Sequence, residues 1–248
     1  MNFKLPLKRF HTLTFIAVMI AVLIFTFYLL HAKNSISSEP AYACDEKDVC
    51  HKKVLLFRGD IPSNSVFRVA VTLARAKWLE NINTVCMQSS GGVFSEALGI
   101  AQIIKFFNMN TCLALHYQLE DESATKVSGY CQSSCVWLIL GGRHRYLMDD
   151  NLVLGFHASR DGEGEPVPSD LPTLKGKIMS LEDNAKNSDK LQLLAEWSFT
   201  QGHTSKTTNC TASELQNLYP YFTDLPPMRK PSDLTCGLLS PEEIKNRL

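Results

Sequence analysis

Ser133 and His157 are two side chains whose types suit nucleophilic catalysis. They are 24 positions apart, and Ser133 is the central residue of a Cys-x-Ser-x-Cys run that precedes an apolar stretch closed by two glycines. A serine hydroxyl attacks a carbonyl poorly unless a base within hydrogen-bond reach accepts its proton, and histidine titrates near neutral pH. The polar-then-apolar order predicts a buried helix that starts at Ser133, where free backbone N–H groups and the helix dipole favour negative charge. We therefore take Ser133 as a candidate nucleophile, and His157 fits the role of its base if the end of its strand faces the helix start.

Plainer interpretations of the same residues stay open at this point. Ser133 can act only as the N-cap of its helix, which is a common use of serine. His157 can be a core histidine with satisfied hydrogen bonds, and Ser134 can replace Ser133 as nucleophile. The double glycine at Gly91 and Gly92 can be an ordinary turn between a strand and a helix. The flanking cysteines can pack as small apolar groups or form disulfides.

The segments that must position these residues alternate between strands and helices. Short apolar runs predict strands, and apolar residues that recur every three or four positions predict helices. Such alternation predicts an α/β fold of repeated β-α-β units with a parallel sheet. The predicted strands cover residues 54–57, 84–87, 111–116, 143–148 and 151–156, the helices cover 64–80, 93–108 and 174–197, and loops cover 117–126 and 161–172.

The N-terminal part of the chain has the pattern of a membrane anchor. Residues 12–30 form an uncharged apolar run whose length as a helix approaches the roughly 30 Å of a bilayer core. Basic residues precede this run, so residues 1–11 are predicted to stay in the cytoplasm and the rest to be exported. Residues 31–52 are then a linker and residues 53–248 the folded domain. A cleaved signal peptide with its site at Ala41-Tyr42-Ala43 is the alternative.

Charge and cysteine content exclude several other functions. Lys plus Arg and Asp plus Glu both number 25, and no basic cluster outside the N-terminus suits nucleic acid. The eight cysteines suit an oxidising compartment, and they contain no Cys-x-x-Cys pair that would indicate a metal site. We expect no metal and no cofactor. Cys44 with Cys50, and Cys210 with Cys236, are the predicted disulfides.

The order of motifs resembles the periplasmic or membrane-anchored relatives of the Clp protease catalytic subunit, within the Clp/crotonase superfamily. The resemblance covers residues 54–159 and rests on Ser90-Gly91-Gly92 after a strand, on Cys131-x-Ser133-x-Cys135 at a helix start, and on Leu154-Gly155-Phe156-His157. It implies that Ser133 is the nucleophile and His157 the base. It further implies an oxyanion hole formed by the backbone N–H groups of Gly92 and Ser134.

The third member of a catalytic triad is less clearly marked in this sequence. The resemblance implies an aspartate after the long helix, for which Asp224 is our choice and Asp189 the alternative. Some relatives manage without a carboxylate or use a lysine as base. Ser90 and Gln132 depart from the family pattern, since relatives often have a proline and a small residue at these two positions.

The resemblance implies a membrane-anchored extracytoplasmic serine peptidase that forms an acyl-enzyme. Its substrates would be proteins or peptides. It would cross the inner membrane once, with its C-terminal domain in the periplasm, and it would form a homo-oligomer. A catalytically inactive Clp-like scaffold that binds envelope proteins or peptides is the alternative. A crotonase-type acyl-CoA enzyme is a third hypothesis, but such sites need no serine here and an exported domain would not meet CoA.

Overall fold

The computed structural model describes residues 36–45, 47–121, 125–149, 152–158, 171–182, 185–200, 207–212 and 214–215, together with Met19. None of the helices in this part of the chain combines the length and apolar character needed to cross a membrane. The predicted anchor at residues 12–30 lies outside the described residues except for Met19, so it stays a prediction.

The described residues form two sheets and five helices. The larger sheet has seven strands in the order β6-β5-β1-β2-β3-β4-β8, and the smaller sheet has three in the order β10-β9-β7. The strands are β1 (Ser37–Cys44), β2 (Cys50–Arg58), β3 (Thr84–Gln88), β4 (Asn110–Leu113), β5 (His116–Leu119), β6 (Lys126–Ser128), β7 (Cys131–Gln132), β8 (Arg145–Leu147), β9 (Val153–Phe156) and β10 (Thr208–Thr211). The helices are α1 (Ser65–Leu79), α2 (Phe94–Phe106), α3 (Cys135–Ile139), α4 (Leu171–Met179) and α5 (Ala185–Thr200).

The predicted β-α-β units are confirmed in the central part of the larger sheet. Strands β2, β3, β4 and β8 run parallel, with α1 and α2 as the crossovers between the first three. Helix α1 forms because its apolar residues recur at helical spacing, and it buries Val69, Leu73 and Ala76. The four residues 54–57 of β2 are all buried, as a central strand covered on both faces requires.

The first strand of the domain lies inside the stretch that was predicted as a linker. Residues 37–44 lie inside the stretch assigned to the linker at 31–52, but they form β1, which pairs antiparallel with β2. The strand was missed because its inward side chains are small: Ala41 and Ala43 are fully buried and leave no apolar run. The alternative cleavage site at Ala41-Tyr42-Ala43 is therefore part of β1, and cleavage after Ala43 would remove this strand from the sheet.

The segment predicted as a loop at 117–126 also contributes to the sheet. Strand β5 pairs antiparallel with β1 and with β6, so the sheet is mixed and not purely parallel. Tyr117 and Leu119 alternate inward and pack with Val54 and Leu56 in a second core cluster. Strands β5 and β6 are only four and three residues long, too short for periodicity to distinguish them from a loop.

The predicted single helix at 174–197 is two helices, α4 and α5. Helix α4 ends in a turn in which the backbone N–H of Leu181 donates to the carbonyl of Ile178 at 3.0 Å. The hydroxyl of Ser180 also donates to the carbonyl of Lys177 at 2.7 Å, so the last carbonyls of α4 find partners at this point. Residues 161–170 of the predicted flap lie outside the described residues, and residues 171 and 172 belong to α4.

Candidate active site

Ser133 occupies the junction between β7 and α3 in a backbone conformation that is rare for serine. Its φ angle is 56°, in the left-handed region, where a residue with a Cβ atom is disfavoured by about 1–2 kcal/mol. Its backbone N–H donates to the carbonyl of Gly155 at 2.7 Å, and its carbonyl accepts from the N–H of Val136 at 3.1 Å. The side chain is half-buried. Ser133 is thus held in a strained conformation by bonds on both sides while its hydroxyl keeps partial access to solvent.

The interpretation of Ser133 as only an N-cap is wrong for this structure. The N-cap position of α3 belongs to Ser134, and no side-chain capping hydrogen bond is formed there. Helix α3 spans only Cys135–Ile139 and is wholly buried, and Trp137 packs edge-on against Phe94 of α2 with ring centroids 6.0 Å apart. The helix start is therefore fixed by tertiary packing and not by a cap at Ser133.

Gly91 lies directly against Ser133, which sequence reasoning did not anticipate. A Cβ atom built on Gly91 would be 2.7 Å from the Cβ and 3.0 Å from the Oγ of Ser133. The φ angle of Gly91 is 99°, and its carbonyl accepts from the N–H of Ile61 at 2.7 Å. The double glycine was the available signal, but only the tertiary structure identifies which of its two members faces the serine.

The two predicted oxyanion donors are linked to each other. The hydroxyl of Ser134 donates to the carbonyl of Gly92 at 3.1 Å. Gly92 forms a parallel bridge with Ile61 and is exposed, whereas Ser134 is only 2 % exposed. The N–H groups of Gly92 and Ser134 do not donate in any of the backbone hydrogen bonds that the described residues form outside helices and strands. The double-glycine turn and the start of α3 thus come together at Ser133.

His157 follows the strand that holds Ser133. Strand β7 pairs parallel with β9 so that Gln132 lies opposite Gly155, and His157 comes two residues after Gly155. The imidazole is half-buried, and its Nδ1 lies 2.5 Å from the carbonyl oxygen of Ala158. Since a carbonyl oxygen only accepts, this contact requires the proton on Nδ1, and in the neutral imidazole the acceptor lone pair is then on Nε2. This is the tautomer that a general base requires.

The side chains of both predicted carboxylates lie outside the part of the chain that the structure describes. Asp224 lies outside the described residues, so its role stays a prediction. Asp189 belongs to α5, and its side chain is outside the described part. Near the glycine turn, the hydroxyl of Ser90 donates to a carboxylate oxygen of Asp60. This bond connects the loop after β2 to the turn after β3.

Tyr117 supports the strand that leads into the glycine turn. Its hydroxyl donates to the carbonyl of Met87 at 3.1 Å and accepts from the N–H of Ala114 at 2.9 Å. The side chain is fully buried, and burial raises the pKa of the Tyr117 phenol well above its usual range, although the two backbone bonds oppose this effect. The end of β3 is thus tied to Ala114, inside the stretch predicted as a strand at 111–116, through a side chain from the predicted loop at 117–126.

Disulfide bonds pair six of the eight cysteines. The predicted Cys44–Cys50 bond is confirmed, and Cys86 of β3 pairs with Cys112 of β4. The third bond joins Cys131 and Cys135 across Ser133, with the two Cα atoms 5.4 Å apart. Cys210 is buried on β10, but Cys236 lies outside the described residues, so their pairing stays a prediction.

Two other features of the described residues lie apart from this serine. The cysteines of a Cys44, Asp48 and Cys50 cluster with metal-ligand spacing are disulfide-bonded, so they are not thiolate ligands. A cavity of about 330 Å³ has a polar lining at the ends of α2 and α3, and none of the predicted catalytic residues lines it. Its charged residues are Lys105, Arg143, Arg145 and Glu182.

Comparisons with known proteins give a limited likeness. No protein-family model matches the chain, and no curated protein matches it. Two solved structures that are similar are mutants of the membrane-bound stomatin-specific protease 1510-N. The first has a TM-score of 0.45 and 16% identity over 66% of this chain and 73% of that one. The second, in complex with a substrate peptide, has a TM-score of 0.42 and 13% identity over 66% and 71%. At these values the likeness does not extend to activity or substrate.

Proposed function

We propose that this chain is a serine hydrolase, and specifically a peptidase, in which Ser133 is the nucleophile and His157 the general base. The observation that carries the proposal is the left-handed backbone of Ser133, held between Gly91 and the carbonyl of Gly155. A non-glycine residue in this region persists only where the surrounding structure imposes it, and such residues concentrate at active sites. A serine that only filled space would gain nothing from this conformation.

The proposed reaction assigns one role to each of the two side chains. The Oγ of Ser133 attacks the substrate carbonyl carbon while Nε2 of His157 accepts the hydroxyl proton. The imidazolium then returns the proton to the leaving amine as the acyl-enzyme forms, and a water molecule deprotonated by the same nitrogen releases the acid. The Ala158 carbonyl supports this cycle because it keeps the second proton on Nδ1.

Backbone N–H groups stabilise the tetrahedral intermediate in this proposal. The N–H groups of Gly92 and Ser134 are the donors, and the bond from the Ser134 hydroxyl to the Gly92 carbonyl supports their proximity. Removing one such donor typically costs about 3 kcal/mol of transition-state stabilisation. The role of Asp224 as third member stays an untested prediction, and this proposal does not depend on it, because the Ala158 carbonyl accepts from Nδ1, the ring nitrogen that a triad carboxylate would orient.

We propose that the enzyme acts outside the cytoplasm and is anchored by residues 12–30. The support is the apolar run with its preceding basic residues and the use of six cysteines in disulfides. Structural disulfides persist in oxidising compartments and are rare in the cytosol. Exported proteins or peptides would be the substrates.

The test is active-site labelling of the full chain in detergent with a fluorophosphonate probe, which reacts with activated serines. Wild type is expected to label at Ser133, and Ser133→Ala to lose the label. Ser128→Ala is the matched control, since Ser128 is an exposed serine at the end of β6. If wild type labels no faster than Ser133→Ala, the chain is not a serine hydrolase, and peptide binding by Ser133→Ala would then support the inactive scaffold.

A further inference from the structure

The disulfide between Cys131 and Cys135 encloses the proposed nucleophile more closely than any other covalent constraint among the described residues. Cys131 belongs to β7 and Cys135 is the first residue of α3, so the bond closes a loop containing only Gln132, Ser133 and Ser134. Both cysteines are fully buried. Closure of so short a loop restricts the backbone dihedral angles of the residues inside it, because few combinations keep the two ends together.

The residue at the centre of this loop is the one that needs such a restriction. Ser133 has a φ angle of 56°, a left-handed backbone conformation that is disfavoured for any residue with a Cβ atom. Helix α3 has only five residues, and a helix of this length is not stable without tertiary contacts. The disulfide ties the first residue of this helix to the strand that precedes the serine.

We infer that the Cys131–Cys135 disulfide is a positioning element that sets the conformation of Ser133, so that the nucleophile is assembled only in the oxidised chain. This inference rests on the proposed function, because it gives the disulfide a role in acylation and not only in stability. The two bonds of the Ser133 backbone, to Gly155 and Val136, remain possible without the disulfide. They hold one atom on each side of Cα, whereas the disulfide holds both ends of the loop.

The bond would form by exchange with a disulfide oxidant, for example oxidised glutathione. One S–S bond forms between Cys131 and Cys135, the S–S bond of glutathione disulfide breaks, and two thiol protons end on two molecules of reduced glutathione. In a reducing compartment the reverse exchange prevails. The chain would therefore gain full acylating activity only after it reaches an oxidising compartment.

The experiment separates probe binding from acylation in the full chain in detergent. Labelling rates over a range of fluorophosphonate concentrations give the dissociation constant of the probe and the rate constant of acylation. We expect the double variant C131A/C135A to acylate about 10–100-fold more slowly, since displacement of a nucleophile by 1 Å costs about 100-fold. The dissociation constant should change by less than about twofold, because the change affects the transition state and not ground-state binding.

C86A/C112A is the matched control, since the Cys86–Cys112 bond is equally buried and joins two strands away from Ser133. It should keep the acylation rate constant of wild type. Wild type refolded with dithiothreitol should acylate as slowly as C131A/C135A and recover with oxidised glutathione, while C131A/C135A should not recover.

Three results would overturn the inference, and they are distinguishable. Equal acylation by C131A/C135A and wild type would remove the positioning role while leaving the serine hydrolase intact. Global unfolding of C131A/C135A with C86A/C112A still folded would assign the disulfide to stability. Absence of any label on wild-type Ser133 would overturn the proposed function itself.

Discussion

Alanine at position 91 would place a Cβ atom 2.7 Å from the Cβ of Ser133. Carbon atoms pack best at about 3.5–4.0 Å, so one of the two must move by about 1 Å. The turn at Gly91 is fastened, because its carbonyl accepts from Ile61 and its N–H donates to the hydroxyl of Ser89 at 3.0 Å. Ser133 is held as well, and the added Cβ atom would also lie 2.8 Å from the carbonyl oxygen of Gln132, so the turn and the segment that carries Ser133 must shift relative to each other. A misplacement of about 1 Å costs about 100-fold in rate, which is the loss we expect for Gly91→Ala.

Gly59→Ala separates this contact from backbone strain. Gly59 has a φ angle of 91°, close to the 99° of Gly91, but a Cβ atom there would meet nothing within 4 Å. Both substitutions should destabilise the fold by about 1–3 kcal/mol, because alanine is strained in this region. Only Gly91→Ala should slow acylation, since only Gly91 faces the serine.

The assay is the rate constant of fluorophosphonate labelling, measured together with thermal unfolding of each variant. Gly59→Ala should label at the wild-type rate at a temperature where it is folded. If Gly91→Ala is folded and labels as fast as Gly59→Ala, the contact between the glycine turn and Ser133 does not set the reactivity of the serine, and the proposed geometry is wrong.

Three further predictions concern groups that support the site. Tyr117→Phe should lower the free energy of unfolding by about 1–3 kcal/mol, because two buried backbone groups lose their partner. The raised pKa of the Tyr117 phenol adds stability that is present below the unfolded pKa of about 10 and lost as pH rises above it. Denaturant unfolding at pH 8 and 10.5 should therefore show a smaller alkaline loss in Tyr117→Phe than in wild type, and equal losses would refute this role. Glu96→Ala should destabilise the fold by about 1 kcal/mol in denaturant unfolding, since the Glu96 carboxylate caps the start of α1 by accepting from the N–H groups of Ser65 at 2.8 Å and Val66 at 3.1 Å. Glu96→Gln keeps one oxygen acceptor and should lose less, whereas an equal loss would argue against the cap. Asp224→Asn should slow labelling far less than the about 10⁴-fold expected for a triad carboxylate, because the Ala158 carbonyl already accepts from Nδ1 of His157. A loss of about 10⁴-fold in the labelling rate would instead assign the orienting role to Asp224.

Local pattern determined the elements around the site. The buried run at 54–57, the helical spacing in 65–79 and the strand before the double glycine were all predicted within a few residues of their observed bounds. These elements are readable because one face or both faces of each are covered by apolar side chains, which imposes a period on the sequence. The roles of Ser133 and His157 were predicted from residue type and from the family resemblance, and β7 and β9 run side by side up to Gln132 and Gly155, just before these two residues.

Other elements depended on partners distant in the sequence. Strands β1, β5 and β6 are short or carry small inward side chains, so only their pairing with β2 and with one another makes them strands. Likewise, eight cysteines allow 105 complete pairings, and only the neighbouring positions of Cys86 and Cys112 on parallel strands select that bond.

The sequence alone determined which residues are candidates for the chemistry, because a serine, a histidine and a double glycine are recognised by residue type. The tertiary structure decided how Ser133 is held. The contact with Gly91 joins segments that are far apart in the sequence. The left-handed backbone of Ser133 and the disulfide across it are local, but they leave no periodic pattern in the sequence. Hydrophobic periodicity reports which face of a segment is buried, but it contains no information about a single dihedral angle or about which of two adjacent glycines faces a serine.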